Sequence, residues 1–125
     1  MRKTSKLPDA PAPRIVFEAS EVHRMAPKDT HFGSLQELND ERTGPTQLYA
    51  RTKLAMILGA KFLLKEGVIE KNGDNIYALS VHPGTVNTDM QEQWKSAYPG
   101  IFGTILARGM QLIGRSPEQG AYSAL

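Results

Sequence analysis

The sequence predicts an α/β fold built around a parallel strand–helix–strand unit. Three stretches carry this prediction: a β-branched apolar run at residues 14–20, a long apolar segment at 48–64, and a second β-rich run at 75–82. Two strands joined by one long helix form the parallel βαβ arrangement, whose crossover is expected to be right-handed. A chain of 125 residues is long enough for one domain with its core, but not for two.

The first strand follows a proline-rich connector. Residues 1–13 are polar and end in Pro8-Asp9-Ala10-Pro11-Ala12-Pro13, so we expect no regular structure there beyond a short helical turn. The strand begins at Arg14-Ile15-Val16 and ends at Ser20, and its apolar start predicts that it is mostly buried. Residues 21–45 contain glycine and proline but little periodicity, which predicts a long loop of a kind that more often carries function than not.

A long helix is predicted next. Thr46 has the side chain of an N-cap, and the helix should run to about Glu66, with Gly67 as its C-terminal stop. Leu54, Leu58 and Phe62 mark one apolar stripe along it. After a turn at 71–74 and the second strand, short helices are expected at about 89–97 and 101–113. A last helix should begin with Ser116 as cap and Pro117 as its first residue.

The composition excludes several classes of function. The Lys and Arg residues are scattered and the net charge is only +2, so no nucleic-acid surface is indicated. Without cysteine there is no disulfide, thiolate metal site or cysteine nucleophile, and His23, His31 and His82 lack metal-ligand spacing. No secretory signal is evident, and the apolar stretch at 101–113 is too short to span a bilayer. We therefore expect a cytoplasmic protein without a metal and without a transmembrane segment in this chain.

Tyr49 and Lys53 are the first candidates for chemistry. They lie four residues apart on the predicted helix and therefore share one face. An ammonium about 6 Å from a phenol, at an effective dielectric near 20, favours the phenolate by about 2.8 kcal/mol, or about two pKa units. A second positive charge is needed to bring the phenol close to neutrality. The pair alone is a weak signal, since Tyr49 could equally be a core tyrosine and Lys53 a solvated surface charge.

Further candidates converge on the same edge of the predicted sheet. Functional sites in open parallel sheets lie beyond the carboxyl ends of the strands. Ser20 ends the first strand, and the second is followed by His82-Pro83-Gly84-Thr85-Val86-Asn87-Thr88. In this order, the segments 14–23, 49–55 and 81–86 resemble the short-chain dehydrogenase/reductases, most closely their retinol-dehydrogenase-like branch. The resemblance covers nearly the whole chain and implies a doubly wound parallel sheet of the Rossmann type.

The resemblance implies a role for each of these residues. Tyr49 would be the general acid/base, Lys53 would lower its pKa and bind the nicotinamide ribose, and Ser20 would hold the substrate oxygen. The cofactor would be NADP or NAD, with NADP favoured, and its oxidised ring would supply the second positive charge. The substrate would be a small lipophilic alcohol or carbonyl compound. The cofactor-binding residues would be Tyr49, Lys53, Pro83, Gly84, Val86 and Thr88.

The chain also departs from this family's pattern. It has no Gly-x-x-x-Gly-x-Gly turn after a strand, and Phe17-Glu18 stands where an Asn-Val pair is usual. Glu18 would then face inward at a cost in free energy. We therefore expect residues 1–125 to be a partial Rossmann-like domain, the C-terminal, catalytic half of such an enzyme. By itself it should bind NADP feebly and catalyse no turnover, and measurable activity of the purified chain would overturn that expectation.

The sequence also allows functions other than that of a dehydrogenase. The chain could be a non-catalytic interaction module whose long helix pairs with a second copy in a homodimer. A sugar-nucleotide epimerase uses the same Tyr/Lys pair, but the loop at 83–88 argues against it. A serine hydrolase is disfavoured because no Gly-x-Ser-x-Gly elbow exists. Trp94, Tyr98 and Phe102 could line a substrate lid or simply pack in the core.

Overall fold

The computed structural model describes residues 1–40, 42–67, 69–87, 108–109 and 114–124. They belong to two compact units, Met1–Val81 and His82–Leu125. In the first unit, β1 (Arg14–Glu18) and β2 (Tyr77–Val81) pair in parallel, with Arg14 opposite Tyr77 and Glu18 opposite Val81. The predicted α/β class is confirmed, and the sheet is compatible with a partial Rossmann-like fold. Its doubly wound form stays a prediction.

Ionic contacts hold the start of the chain in place. The expected short helical turn is a 3-10 helix at Thr4–Lys6. Arg2 donates from Nε to the Asp74 carboxylate at 2.7 Å, and Lys6 Nζ lies 3.8 Å from the other carboxylate oxygen. The Asp74 side chain is fully buried. Because a buried carboxylate needs compensating charge, Asp74 fastens the N-terminal segment to the residues that precede β2.

The predicted loop at 21–45 contains two short helical elements. A 3-10 helix at Glu21–Met25 follows β1 directly, and Ser20 caps it by accepting a hydrogen bond from Val22 N at 3.3 Å. Further on, helix α1 (Leu35–Leu38) is capped by Ser34, whose Oγ accepts from Glu37 N at 3.1 Å. Serine is favoured at both N-cap positions because its hydroxyl accepts a hydrogen bond from an amide that has no partner inside the helix.

One carboxylate orders the turn between these two elements. Glu37 accepts hydrogen bonds from three consecutive backbone amides: those of His31 at 2.8 Å, Phe32 at 3.0 Å and Gly33 at 2.9 Å. Phe32 adopts φ +54°, a left-handed conformation that is uncommon for a non-glycine residue. Successive amides that converge on one anion form a nest, so the Glu37 side chain supplies the anion that holds this turn together.

Helix α2 (Pro45–Phe62) connects the loop to the second half of the unit. It begins two residues earlier than predicted, with Gly44 and not Thr46 at the N-cap. Proline explains the shift, because its fixed φ suits the first helical turn and its missing N–H is not needed there. After Phe62 the chain continues as a π-helical turn at Leu63–Gly67, so the predicted end of the helical segment near Gly67 is confirmed.

The core of the first unit contains small side chains. Its buried apolar residues are Ala19, Ala50, Ala60, Ile69 and Ile76, and no large side chain in the described part of the chain is fully buried. Strand β1 is half-buried and exposed at both ends, so the prediction that it is mostly buried is wrong. A sheet of two strands with helix α2 against it leaves much of the strand surface without a covering layer.

Two of the three residues in the predicted apolar stripe of α2 are exposed. Leu58 and Phe62 are 43% and 60% exposed. The helix approaches β1 at Gly59, where the Phe17 ring lies 3.7 Å from the position that a Cβ would occupy. The glycine leaves room for the Phe17 ring, whereas the side chains of Leu58 and Phe62 remain exposed.

In the second unit, the residues after β2 pair with a distant segment. Val86 forms a parallel β-bridge with Arg115, whose amide donates to Thr85 O at 2.8 Å. Helix α3 (Pro117–Ala121) has the predicted cap: Gln119 N donates to Ser116 Oγ at 3.3 Å, and Ser116 N donates to Gln119 Oε1 at 3.1 Å. Gly120 packs so closely on Val86 that a Cβ there would lie 2.5 Å from Cγ2.

Several predicted features fall outside the described residues. These are Thr88, the three aromatic residues of the proposed lid, and nearly all of the two short helices expected at 89–97 and 101–113. Within the described ranges, no helix has both the length and the apolar character needed to cross a membrane.

Candidate active site

Ser20 lies immediately beyond the carboxyl end of β1. The extended pairing continues one residue past the strand, because Ala19 N donates to Val81 O at 2.8 Å. Ser20 keeps an extended backbone, with φ −156° and ψ 152°. Its hydroxyl lies within reach of the Tyr49 phenol and lowers the pKa of the phenol, as a hydrogen-bond donor to its oxygen does. The structure therefore brings together two of the predicted catalytic side chains.

Tyr49 occupies the second turn of α2 and is half-buried. Burial raises the pKa of the phenol above its usual value of 10.0, the hydrogen bond from Ser20 opposes that rise, and the Glu18 carboxylate adds to it. The expectation that Tyr49 has a lowered pKa is therefore wrong for the chain without a ligand. Desolvation disfavours the charged phenolate, and the nearby carboxylate has the same sign as the phenolate.

Lys53 shares the helix face of Tyr49, as its spacing predicted. Its Nζ lies over the Tyr49 ring at 5.5 Å from the centroid, a cation–π distance. The same ammonium donates a hydrogen bond to the Glu18 carbonyl oxygen at 3.0 Å. Lys53 is thus held between the phenol ring and the end of β1.

Glu18 is a member of this cluster that was not predicted as a functional residue. It is exposed, so the expectation that it faces inward is wrong. Its backbone binds Lys53 and its carboxylate acts on Tyr49. One sequence signal does point to it: residues two apart in an extended chain have side chains on the same side, and Ser20 follows Glu18 at that spacing.

The predicted cofactor residues Pro83, Gly84 and Val86 lie in the second unit. Gly84 has φ +83°, a left-handed conformation that explains why glycine occupies this position. A Cβ on Gly84 would lie 3.9 Å from the Arg115 guanidinium, so the backbone here passes close to a positive side chain. The contacts of these residues with a nicotinamide stay predictions, as does the role of Thr88.

A separate polar cavity of about 490 Å³ lies in the first unit, lined by residues that include Glu37, Asp40, Arg42 and Arg51. Its charged groups are largely bound to one another. Arg42 binds Asp40 through two hydrogen bonds of 2.9 Å, and these bonds lower the pKa of Asp40 to about 2. Arg51 is only 6% exposed and donates to the Glu37 carbonyl at 2.7 Å. Ser20, Tyr49 and Lys53 do not line this cavity.

No metal site accompanies these groups in the part of the chain that the structure describes: no three His, Asp or Glu residues there could hold a metal ion. The candidate site instead offers the hydroxyls of Ser20 and Tyr49 and the ammonium of Lys53. These groups fit an alcohol oxygen and the hydroxyls of a ribose, because each offers protons to an uncharged oxygen. Lys53 uses one bond on Glu18 and, as an ammonium, has further protons to donate.

The sequence is similar to three fungal proteins. It is 39% identical over 77 residues to a Neurospora crassa protein named as the mitochondrial oxidoreductase bli-4, a match that covers 60% of this chain and 18% of that protein. It is 27% identical over 113 residues to the short-chain dehydrogenase/reductase pkfC of Emericella nidulans, covering 90% of this chain and 32% of the relative. It is 29% identical over 117 residues to the short-chain dehydrogenase/reductase drtF of Aspergillus calidoustus, covering 90% and 35%.

The chain spans about a third or less of the length of these relatives. No family model matches the sequence, and no solved structure matches it. One of these relatives is named as an oxidoreductase and two as short-chain dehydrogenase/reductases, which supports the resemblance to that family.

Proposed function

We propose that this chain carries the acid/base part of an oxidoreductase that interconverts an alcohol and a carbonyl compound. The observation that carries this proposal is the cluster of Ser20, Tyr49 and Lys53, in which a serine hydroxyl lies within reach of a phenol and an ammonium lies over the phenol ring. The names of the similar fungal proteins support the same activity. A nicotinamide cofactor would supply or accept the hydride at the reacting carbon.

The protein's own residues would handle the proton. In the direction of carbonyl reduction, the substrate oxygen gains a proton, and Tyr49 would donate it while Ser20 holds the same oxygen by a hydrogen bond. The raised pKa of Tyr49 keeps the phenol protonated at neutral pH, which suits an acid. In the direction of oxidation, Tyr49 would first have to lose its proton, so a positive charge entering the site should favour that direction.

The finer assignments follow from the same resemblance. We propose the retinol-dehydrogenase-like branch, the catalytic part of a doubly wound Rossmann-type domain, and a small lipophilic alcohol or carbonyl substrate. NADP is favoured over NAD. Lys53 would bind the nicotinamide ribose, and Pro83, Gly84, Val86 and Thr88 would contribute the remaining contacts to the cofactor. A cytoplasmic location is proposed, although one similar protein is named as mitochondrial.

Cofactor binding tests this proposal on the chain itself. Titration of NADPH into the purified chain, followed by the fluorescence of the reduced ring, should show weak binding. Lys53→Met should weaken it about tenfold, since a charge-assisted hydrogen bond is lost. Lys61→Met is the matched control, because Lys61 is exposed on the same helix. Absence of binding, or equal loss in both variants, would contradict the proposed function.

A second candidate function is an interaction module. The observation that favours it is the apolar surface of α2, where Leu58 and Phe62 lie one turn apart and remain exposed. Two copies of the chain could bury these side chains against each other and form a homodimer. This function does not require Tyr49 or Lys53, so the two candidates make separate predictions.

A further inference from the structure

Asn72 and Gly73 form an exposed turn in the first unit, a few residues before β2. Asn72 ends a 3-10 helix at Glu70–Asn72, and both residues of the turn are exposed. Gly73 has φ +62°, a left-handed conformation that glycine adopts without strain. A Cβ built on Gly73 would have no atom of the described chain within 4 Å. Solvent therefore reaches the peptide bond between these two residues.

An asparagine that is followed by glycine can lose its side-chain amide without an enzyme. The Gly73 backbone nitrogen attacks Asn72 Cγ, and the new N–Cγ bond closes a succinimide ring. The Cγ–N bond of the side chain breaks, and the amide leaves as ammonia with the proton from the glycine nitrogen. Water then opens the ring at either carbonyl and leaves aspartate or isoaspartate at position 72. Glycine permits the attack best because it has no side chain to hinder it.

One backbone hydrogen bond opposes this attack in the folded chain. Gly73 N donates to Glu70 O at 3.1 Å, so this bond must open before the nitrogen can reach Asn72 Cγ. Residues 70–73 are all exposed. A single 3-10 turn on the surface opens at a low free energy, because its hydrogen bonds have poor geometry and no buried side chains support them.

The residue that follows this turn is the buried Asp74. Its amide donates to Ile69 O at 3.1 Å, and its carboxylate binds Arg2 and Lys6 of the N-terminal segment. Within the described residues Asp74 Oδ1 accepts no hydrogen bond, since Lys6 Nζ stays 3.8 Å away. Isoaspartate adds a methylene to the main chain just before Gly73. The added length displaces Asp74 from Ile69 and, with it, the carboxylate that holds the N-terminal segment.

We propose that Asn72 is a site of spontaneous deamidation, and that isoaspartate at this position releases the N-terminal segment from Asp74. The modification needs neither Ser20, Tyr49 nor Lys53, so it goes beyond the proposed function and does not rest on it. Because the reaction is slow and consumes only water, its product accumulates with the age of the protein.

Ageing of the purified full chain in mildly alkaline buffer tests the modification. Trypsin cleavage after Lys71 gives a peptide that contains both Asn72 and Asn75, so mass spectrometry compares the two in one sample. Asn75 is the matched control, because it is also exposed but precedes the β-branched Ile76. Asn72 should be converted roughly tenfold faster or more. Labelling with an isoaspartyl methyltransferase should detect the product in the wild-type chain and not in Asn72→Gln.

Limited proteolysis tests the release of the N-terminal segment. Cleavage after Lys6 by trypsin at low concentration reports how often this segment detaches. In the isoaspartyl chain, separated from unaged protein by ion exchange, cleavage should be roughly tenfold faster, because a hydrogen bond between charged groups is lost. Asn72→Asp adds the negative charge but keeps the normal backbone length, and it should be cleaved at the wild-type rate.

The inference is overturned if Asn72 is converted no faster than Asn75, or if the isoaspartyl chain is cleaved after Lys6 at the rate of the unaged chain. An equal rise in Asn72→Asp would also contradict it, because the charge and not the lengthened backbone would then release the segment. Neither measurement involves a cofactor or turnover. Failure of this inference is therefore distinguishable from failure of the proposed function, which is tested by the effect of Lys53→Met on NADPH binding.

Discussion

Glu37 illustrates how one half-buried side chain organises backbone that has no regular structure. Its carboxylate binds the consecutive amides of His31, Phe32 and Gly33. The backbone amides of Gly33, His31 and Phe32 hold the pKa of Glu37 below its usual 4.5. Because the folded-state pKa is lowered, the contribution of these bonds to stability is fully present above pH about 4.5. It is lost as the pH falls through the lower, folded-state pKa.

We therefore expect acid to release this turn only below the usual pKa of a glutamate side chain. The Gly33 amide shift, followed by NMR, should titrate with a midpoint below 4.5, the usual pKa of glutamate. Glu37→Gln should remove that titration and speed hydrogen exchange at residues 31–33 at neutral pH. Glu70→Gln, at an exposed glutamate elsewhere in the unit, is the control. A midpoint at or above the usual value would show that the amides do not bind this carboxylate in solution.

Single residues also show which features of the candidate site the sequence can predict and which it cannot. The spacing of Tyr49 and Lys53 was enough to predict that they share a helix face, because helical geometry is fixed. The direction of the pKa shift was not predictable, since it depends on burial of the phenol and on a carboxylate from another element. The hydrogen bond that holds Lys53 on the Glu18 carbonyl joins residues 35 positions apart, a distance in sequence that no local pattern covers.

At the scale of elements, Arg51 joins the loop to the helix that carries the candidate site. Its guanidinium is buried and donates to the Glu37 carbonyl at 2.7 Å, which links α1 to α2. Arg51 lies two residues from both Tyr49 and Lys53. Arg51 therefore holds the loop against the turns of α2 that carry Tyr49 and Lys53, although it is not part of the candidate site.

Arg51→Met should destabilise the first unit by about 1–3 kcal/mol, because it leaves a carbonyl oxygen without its charged donor. Arg42→Met is a suitable control, since the Arg42 side chain is 92% exposed and pairs locally with Asp40. The free energies of unfolding can be compared by urea titration monitored by circular dichroism. Equal effects of the two substitutions would mean that the buried guanidinium does not fasten the loop.

The elements themselves were predicted with unequal success. Both strands, the long helix and the serine cap of α3 follow from apolar periodicity and cap residues, which act over a few positions. The ordered structure within residues 21–44 was not predicted, because it depends on hydrogen bonds between side chains and backbone amides rather than on hydropathy. The apolar stripe predicted the helix but not its surroundings: Leu58 and Phe62 are exposed, and the Phe17 ring of β1 approaches the helix at Gly59.

At the scale of the whole molecule, apolar side chains on the surface are the main unexplained feature. Within the described residues, Leu58 and Phe62 on α2 and Tyr77 and Leu79 on β2 are exposed. Contiguous exposed apolar side chains mark interaction surfaces more often than they occur on the free surface of a soluble protein. For α2 we propose a second copy of the chain as the partner.

If α2 mediates a dimer, sedimentation velocity should show association that increases with protein concentration. Phe62→Lys should abolish it by placing a charge at the centre of the apolar face. Leu35→Lys is the control, because Leu35 is 76% exposed on α1 and lies outside that face. A chain that stays monomeric at every concentration, or a dimer that tolerates Phe62→Lys, would exclude this interface.

The proposed function requires that Tyr49 is the acid/base of a nicotinamide-dependent site. Its most direct test is the carbon-13 titration of the Tyr49 phenol in the presence of NADP⁺ and, separately, of NADPH. If the ring binds beside this phenol, the positive charge of the oxidised form should lower the pKa of Tyr49 relative to the reduced form. Identical Tyr49 titrations with both forms at saturation, or a Tyr49 signal unaffected by either, would contradict the central claim.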